Sequence, residues 1–157
     1  MVAVPEVDID VGSLPSEVSP PDHWQERSAC YGLDAEIVQL RSLDDVERLV
    51  ASGIPVVTSQ AFEKGEITGA NYNTSGHLWV IVGFTTAGDV IVNDPASPTD
   101  AAVRHVYPRR QFENVWLRTT WKKANGHTGY GSGGVAYVIK PHWLPLPPVI
   151  DRANPSW

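Results

Sequence analysis

Residues 76–95 read Gly-His-Leu-Trp-Val-Ile-Val-Gly-Phe-Thr-Thr-Ala-Gly-Asp-Val-Ile-Val-Asn-Asp-Pro. Two β-prone runs, 76–84 and 89–94, flank Thr85-Thr86-Ala87-Gly88, a length and composition that predict a β-hairpin. Pairing Phe84 with Asp89 sets Trp79 opposite Asp94 and puts His77 diagonally across from that aspartate on one sheet face. Such diagonal neighbours lie about 7–8 Å apart, within reach of medium-length side chains. In this register Asn93 points to the other face, and a slip of one residue exchanges the roles of Asn93 and Asp94. A histidine held by a carboxylate has its tautomer fixed and its imidazolium stabilised, which is what proton transfer from a nucleophile requires. The same pairing also steadies a metal-bound histidine. A purely structural reading stands beside these: His77 as a strand-end residue, and Asn93-Asp94-Pro95 as a turn that satisfies its own backbone.

Working outward, Ala35–Leu40 is a short β-prone run. Ser42 stands as N-cap with Asp45 at N3, Leu43, Val46, Leu49 and Val50 share one face, and Gly53 supplies the stop, so a helix is predicted between them. Ile54–Thr58 reads as a buried strand with Pro55 confined to its start. Residues 62–75 form a polar, glycine-bearing loop, a candidate binding segment. Residues 103–107 make another strand, Pro108 opens a helix with Phe112, Val115 and Trp116 on its apolar face, and a glycine-rich loop through 125–134 precedes a last strand, Val135–Ile139. Upstream, Asp22 with Gln25 at N3 predicts a helix stopped by Gly32, with Trp24 on its buried face. The expected organisation is an acidic, Pro-rich leader or linker over 1–21, a domain over 22–140 and a Pro-rich tail over 141–157. Five or six strands and two or three helices, with few crossover helices after residue 54, predict an α+β class with a twisted, mainly antiparallel sheet.

At 157 residues with 42% hydrophobic content, the chain has enough for one domain with a real core. Its net charge of −6 hides a gradient: residues 1–100 carry 4 basic and 16 acidic side chains, residues 101–157 carry 8 and 2. An acidic chain with only a modest basic patch around Arg104, Arg109, Arg110, Arg118, Lys122 and Lys123 predicts no nucleic-acid partner. No apolar run approaches a membrane span, the longest being Leu78–Phe84, so no membrane association is expected. The acidic start lacks the basic region of a signal peptide, which predicts a cytoplasmic product as given, or an extracellular one if the true N-terminus lies upstream. A single cysteine, Cys30, excludes an intramolecular disulfide framework and a thiolate zinc cluster. It also leaves a thiol nucleophile only one address. No phosphate-binding glycine motif is present, and His23, His105, His127 and His142 lack metal-ligand spacing, so neither cofactor nor metal is expected.

GHLWVIVGF, DVIVNDPAS, VRHVYPRRQFENVWL and GGVAYVI, preceded by LRSLDDVERLVASGIPVV, together resemble the later part of the bacterial peptidase C39-like family, relatives of papain and of bacteriocin-leader peptidases. The resemblance covers about residues 31–140. It implies a papain-like cysteine peptidase fold, truncated here, with His77 as the family histidine and Asp94 as the family acid, both catalytic. It also implies a nucleophilic cysteine in a W-C-x-P-like segment preceded by an oxyanion-hole glutamine. The chain departs from that pattern. QERSAC precedes Tyr31, Cys30 falls towards the end of the predicted first helix, where the helix dipole does not lower a thiol pKa, and neither Gln25 nor Gln60 stands in the oxyanion position.

Three readings follow: a peptidase-family domain inactive as given, a non-catalytic peptide-binding or structural module of the same fold, and an active hydrolase using Cys30 or a hydroxyl such as Ser59 or Ser75. A peptide or protein is the expected ligand. Loops 62–75 and 125–134 are expected to set substrate choice, and Tyr72, Tyr130, Trp121 and Trp143 to rim the cleft. Without the helical part that packs on a papain-like sheet, one sheet face is expected to stay open and to favour a homodimer.

Overall fold

A computed structural model describes residues 31–147. The leader over 1–21, the helix predicted from Asp22 with Trp24 and Gln25, Cys30, and the tail from residue 148 lie outside the described residues. The first helix predicted by the spacing sits where expected: α1 spans Leu43–Ala51 and buries Leu43, Val46 and Leu49 completely. Gly53, at φ +83°, ends it. The Gly53 N–H bonds the Val50 carbonyl and the Ile54 N–H reaches back to Leu49, the paired bonds of a glycine-terminated helix. Its start differs from expectation. Ser42 caps no backbone group, and the Leu43 N–H instead donates to Glu113 Oε1 at 2.8 Å, so a carboxylate seventy residues away caps the helix and complements its dipole.

Glu113 comes from α2 (Arg109–Leu117), which follows Pro108 and buries Phe112, Val115 and Trp116 as its i, i+3, i+4 pattern predicts. Both helices lie on one face of a six-stranded antiparallel sheet. The strands are β1 (Leu33–Gln39), β2 (Val56–Phe62), β3 (Thr74–Phe84), β4 (Val90–Asn93), β5 (Arg104–Tyr107) and β8 (Val135–Pro141), in the order β1-β8-β2-β3-β4-β5. The covered face contributes Val56, Trp79, Ile81, Val90, Val92, Ala136 and Val138 to the core, all buried. The other face is unpartnered among the described residues, with Ile37, Leu78 and Val106 about half exposed. The α+β class, with a multi-stranded antiparallel sheet and two substantial helices, is the one the sequence predicts.

The glycine-rich stretch after α2 is more ordered than its composition suggests. β6 (Thr120–Lys122) and β7 (Thr128–Tyr130) form a separate hairpin in which the Arg118 guanidinium lies 3.8 Å from the Trp121 ring centroid. Past it, Gly134 joins the hairpin to β8 at φ +84°. A Cβ there would fall 2.2 Å from the Leu40 carbonyl oxygen, at the point where the Leu40 N–H donates to Gly134 O. Gly53 has a similar φ but open space around it. Gly53→Ala therefore costs only the left-handed backbone penalty, about 1 kcal/mol. Gly134→Ala adds a backbone clash and costs about 3 kcal/mol. Urea unfolding of the two variants checks that difference.

Candidate active site: a histidine and an aspartate across one hairpin

The β3–β4 hairpin closes one residue later than its sequence suggests. The Thr85 N–H bonds the Asp89 carbonyl, the Gly88 N–H returns to Thr85 O, and the Asp89 N–H is held by Thr85 Oγ1. Phe84 consequently pairs with Val90 rather than with Asp89. Left uncorrected, that shift would send His77 and Asp94 to opposite faces, because strand side chains alternate. A bulge at Val82 restores the parity: Gly83 pairs with Ile91, but Ile81 pairs with Val92 and Val80 with Asn93. Beyond the bulge the register is the predicted one, with Trp79 in line with Asp94 and Asn93 on the open face.

His77 and Asp94 thereby meet on the covered face, where His77 Nε2 and Asp94 Oδ1 are 2.7 Å apart. The His77 side chain keeps 21% of its surface exposed and that of Asp94 only 8%, so the carboxylate is enclosed while the ring opens towards solvent. Asp94 Oδ1 also accepts the Ala96 N–H at 2.9 Å. The turn that carries Asp94 is fixed by the Asp94 N–H to Val103 O and the Ser97 N–H to Asp94 O, and Ser97 Oγ meets His105 Nε2 at 3.2 Å. Burial opposes the charge on Asp94, but the hydrogen bonds from His77 and the Ala96 N–H, with the indole of Trp79, outweigh it and hold the carboxyl below its ordinary value. Ionised Asp94 takes a proton-bearing Nε2, which leaves Nδ1 as the lone-pair nitrogen of the neutral ring. No side chain among the described residues hydrogen-bonds that nitrogen.

Aromatic rings frame the pair. Trp79, fully buried, meets the His77 ring edge-on at 6.0 Å between centroids and stacks on Tyr107 at 4.6 Å. Tyr72 meets His77 from the other side, also edge-on at 6.0 Å. Burial first, and then the Asp94 charge, push both phenols up, Tyr107 to about 12. Of the four aromatics expected to rim a cleft, only Tyr72 touches the histidine. Trp121 packs under Arg118, while Tyr130 and Trp143 are largely exposed.

Gln60 pairs with His77 across β2–β3. It is fully buried, its Nε2 donates to Thr58 Oγ1 at 2.9 Å, and its Oε1 has no partner. The alternation Val56, Thr58, Gln60 along β2 could have placed it on this face. Tyr72 was expected at a cleft rim, but its polar loop has no period from which contact with His77 could be read. No hydrogen bond joins Ser59 or Ser75 to His77. His142 pairs with Asp34, and no group of three or more metal-binding side chains occurs among the described residues. No helix among them is long and apolar enough to cross a membrane.

The sequence model of the Peptidase_C39 like family matches residues 12–124, and the chain belongs to that family. No curated protein matches it. The sheet and helices described above are those of a papain-like arrangement in part, and the family assignment agrees with the resemblance of residues 31–140.

A carboxyl held below its ordinary value contributes stability that is present above its unfolded pKa, about 3.9, and lost as pH falls through the folded value. Asp94→Asn removes that contribution. The variant is expected to be less stable than wild type at pH 7 by about 1–2 kcal/mol, with the gap closing below pH ~4. Denaturant unfolding at pH 7 and pH 3 measures it.

Proposed function

We propose that this member of the Peptidase_C39 like family carries the histidine-and-acid part of a thiol-peptidase site, with His77 as proton acceptor and Asp94 as its orienting acid. The observation that carries the reading is the 2.7 Å contact on Nε2, which leaves Nδ1 to receive a proton. In such a site a thiol passes its proton to Nδ1 and the thiolate adds to a peptide carbonyl carbon. The carbonyl–nitrogen bond then breaks as the amine takes the proton from the imidazolium, and water hydrolyses the thioester. A peptide or protein is the ligand this chemistry implies.

Residues 31–147 contain no thiol, and the only cysteine in the sequence is Cys30. Cys30 lies outside the described residues, and the residues that frame the imidazole include no thiol, which supports reduced or absent hydrolysis by this chain.

The unpartnered sheet face supports a second element of the reading, a homodimer. Ile37, Leu78 and Val106 stand about half exposed on it, a setting in which contiguous apolar surface marks an association site.

A thiol-directed covalent probe and a fluorogenic peptide test the site. Cys30 is expected to label at the rate of an ordinary thiol, unchanged by His77→Ala, with no peptide turnover. Labelling or turnover abolished by His77→Ala would contradict the assignment. In light scattering with size-exclusion chromatography, wild type is expected to dimerise with rising concentration and Leu78→Glu to remain monomeric. A wild type that stays monomeric throughout would contradict the dimer.

A further inference from the structure

We propose that His105 is a positioning residue for Asp94, acting through a hydrogen bond to Ser97 that latches the turn beyond β4 onto β5. The proposal rests on the reading of His77 and Asp94 as a proton-transfer pair, and it gives a role to two residues that the family match does not assign.

Asp94 stands where the sheet stops supporting its chain. The β4–β5 register runs from Val90 opposite Tyr107 to Asn93 opposite Arg104, and the Asp94 N–H to Val103 O, at 2.8 Å, carries it one step further. Pro95 has no N–H to offer. The N–H groups of Ala96 and Ser97 turn back on Asp94 itself, onto Oδ1 and the main-chain oxygen, an Asx turn inside a tight turn. Pro95, Ala96 and residues 98–100 are exposed. Exposed backbone bonds with little apolar burial mark segments that open locally. Such a turn needs an anchor beyond itself if the carboxylate is to stay aimed at His77.

His105 supplies that anchor. It pairs with Val92, so its side chain lies on the covered face with Val92 and Tyr107. Its ring is nearly parallel to that of Tyr107, with 4° between planes and 5.8 Å between centroids, and Tyr107 stacks in turn on Trp79. From that place Nε2 meets Ser97 Oγ at 3.2 Å. A hydroxyl both donates and accepts, so the contact suits either tautomer and the protonated ring alike. The acid turn is thus gripped twice: Asp94 Oδ1 meets His77 from β3, and Ser97, three residues on, is held from β5. The titratable groups around the two imidazoles are Asp94 from β4, Tyr72 from the 62–75 loop and Tyr107 from β5.

Releasing the latch lets the turn shift, and an aspartate that spends less time against His77 stabilises its imidazolium less. The test is an NMR pH titration of the full chain with 15N-labelled histidine. Ser97→Ala removes the hydroxyl, and His105→Phe keeps a ring on Tyr107 but loses the nitrogen. His105→Gln does the converse, losing the ring and keeping an amide nitrogen near the place of Nε2. Ser97→Ala and His105→Phe are each expected to lower the His77 pKa by about half a unit. The double variant falls no further than either, because both changes remove one bond, and His105→Gln titrates as wild type. Loss of the His105 charge would by itself raise the His77 pKa, so a fall reports the latch. A Ser97→Ala titration that superimposes on wild type, a double variant that falls by the sum of the two, or His105→Gln falling as far as His105→Phe would overturn the role of His105. Asp94→Asn is also expected to lower the His77 pKa. If that titration superimposes on wild type, the pairing itself is overturned, so the two failures are read from separate variants.

Discussion

One extra residue in β3 decides what this domain presents. The hairpin turn, set by Thr85 and Gly88, would on its own turn His77 and Asp94 to opposite faces; the bulge at Val82 turns them to the same one. The bulge also lets Phe84 and Ile81, which differ in parity, both pack towards the core. Core packing and site geometry thus impose the same register, and the site is held by the burial of Trp79, Ile81, Val90 and Val92 rather than by the pair's own hydrogen bond. A salt-linked histidine with a partly exposed side chain is a weak fastener, whereas four fully buried side chains are each worth about 1.5–3 kcal/mol.

The supporting structure converges on the same end of the sheet. Arg118, at the end of α2, ties Glu66 and the Ala61 carbonyl on one side and lies over Trp121 on the other. It thus links the Tyr72 loop, the end of β2 and the small β6–β7 hairpin. Arg109 does comparable work at the opposite end, bonding Asp44 and Glu47 of α1 and the Gly88 carbonyl of the hairpin turn. Between these two arginines the helices are fixed over β2 and β3.

Much of this was legible in the sequence because it depends on local periodicity. The i, i+3 spacing of Leu43, Val46 and Leu49, the stop at Gly53 and the apolar face of α2 follow from helical geometry alone. So does the alternation that makes β3 and β4 a hairpin with His77 near one end and Asp94 at the other. What escaped depends on partners far along the chain or on single-residue irregularities. The Glu113 cap on α1 is invisible to local pattern. The bulge left one trace, Gly83 inside an otherwise β-branched run, a position where glycine often marks an extra residue. The β6–β7 hairpin is short and polar, and it is stabilised by Arg118 on Trp121 rather than by alternation. Gln60 was identified but its pairing with His77 required the register of β2, and Tyr72 reaches the histidine only because the loop is tied down by Asn73, Gln111 and Arg118.

The central claim is that an ionised Asp94 holds the Nε2–H of His77 on the covered face and leaves Nδ1 to accept a proton. The most direct measurement is the pair of 15N chemical shifts of His77 in long-range 1H–15N correlation spectra, recorded well above its pKa, where the neutral tautomers differ in which nitrogen carries the proton. The account predicts a protonated Nε2 and an unprotonated Nδ1. A neutral ring that carries its proton on Nδ1 would contradict it.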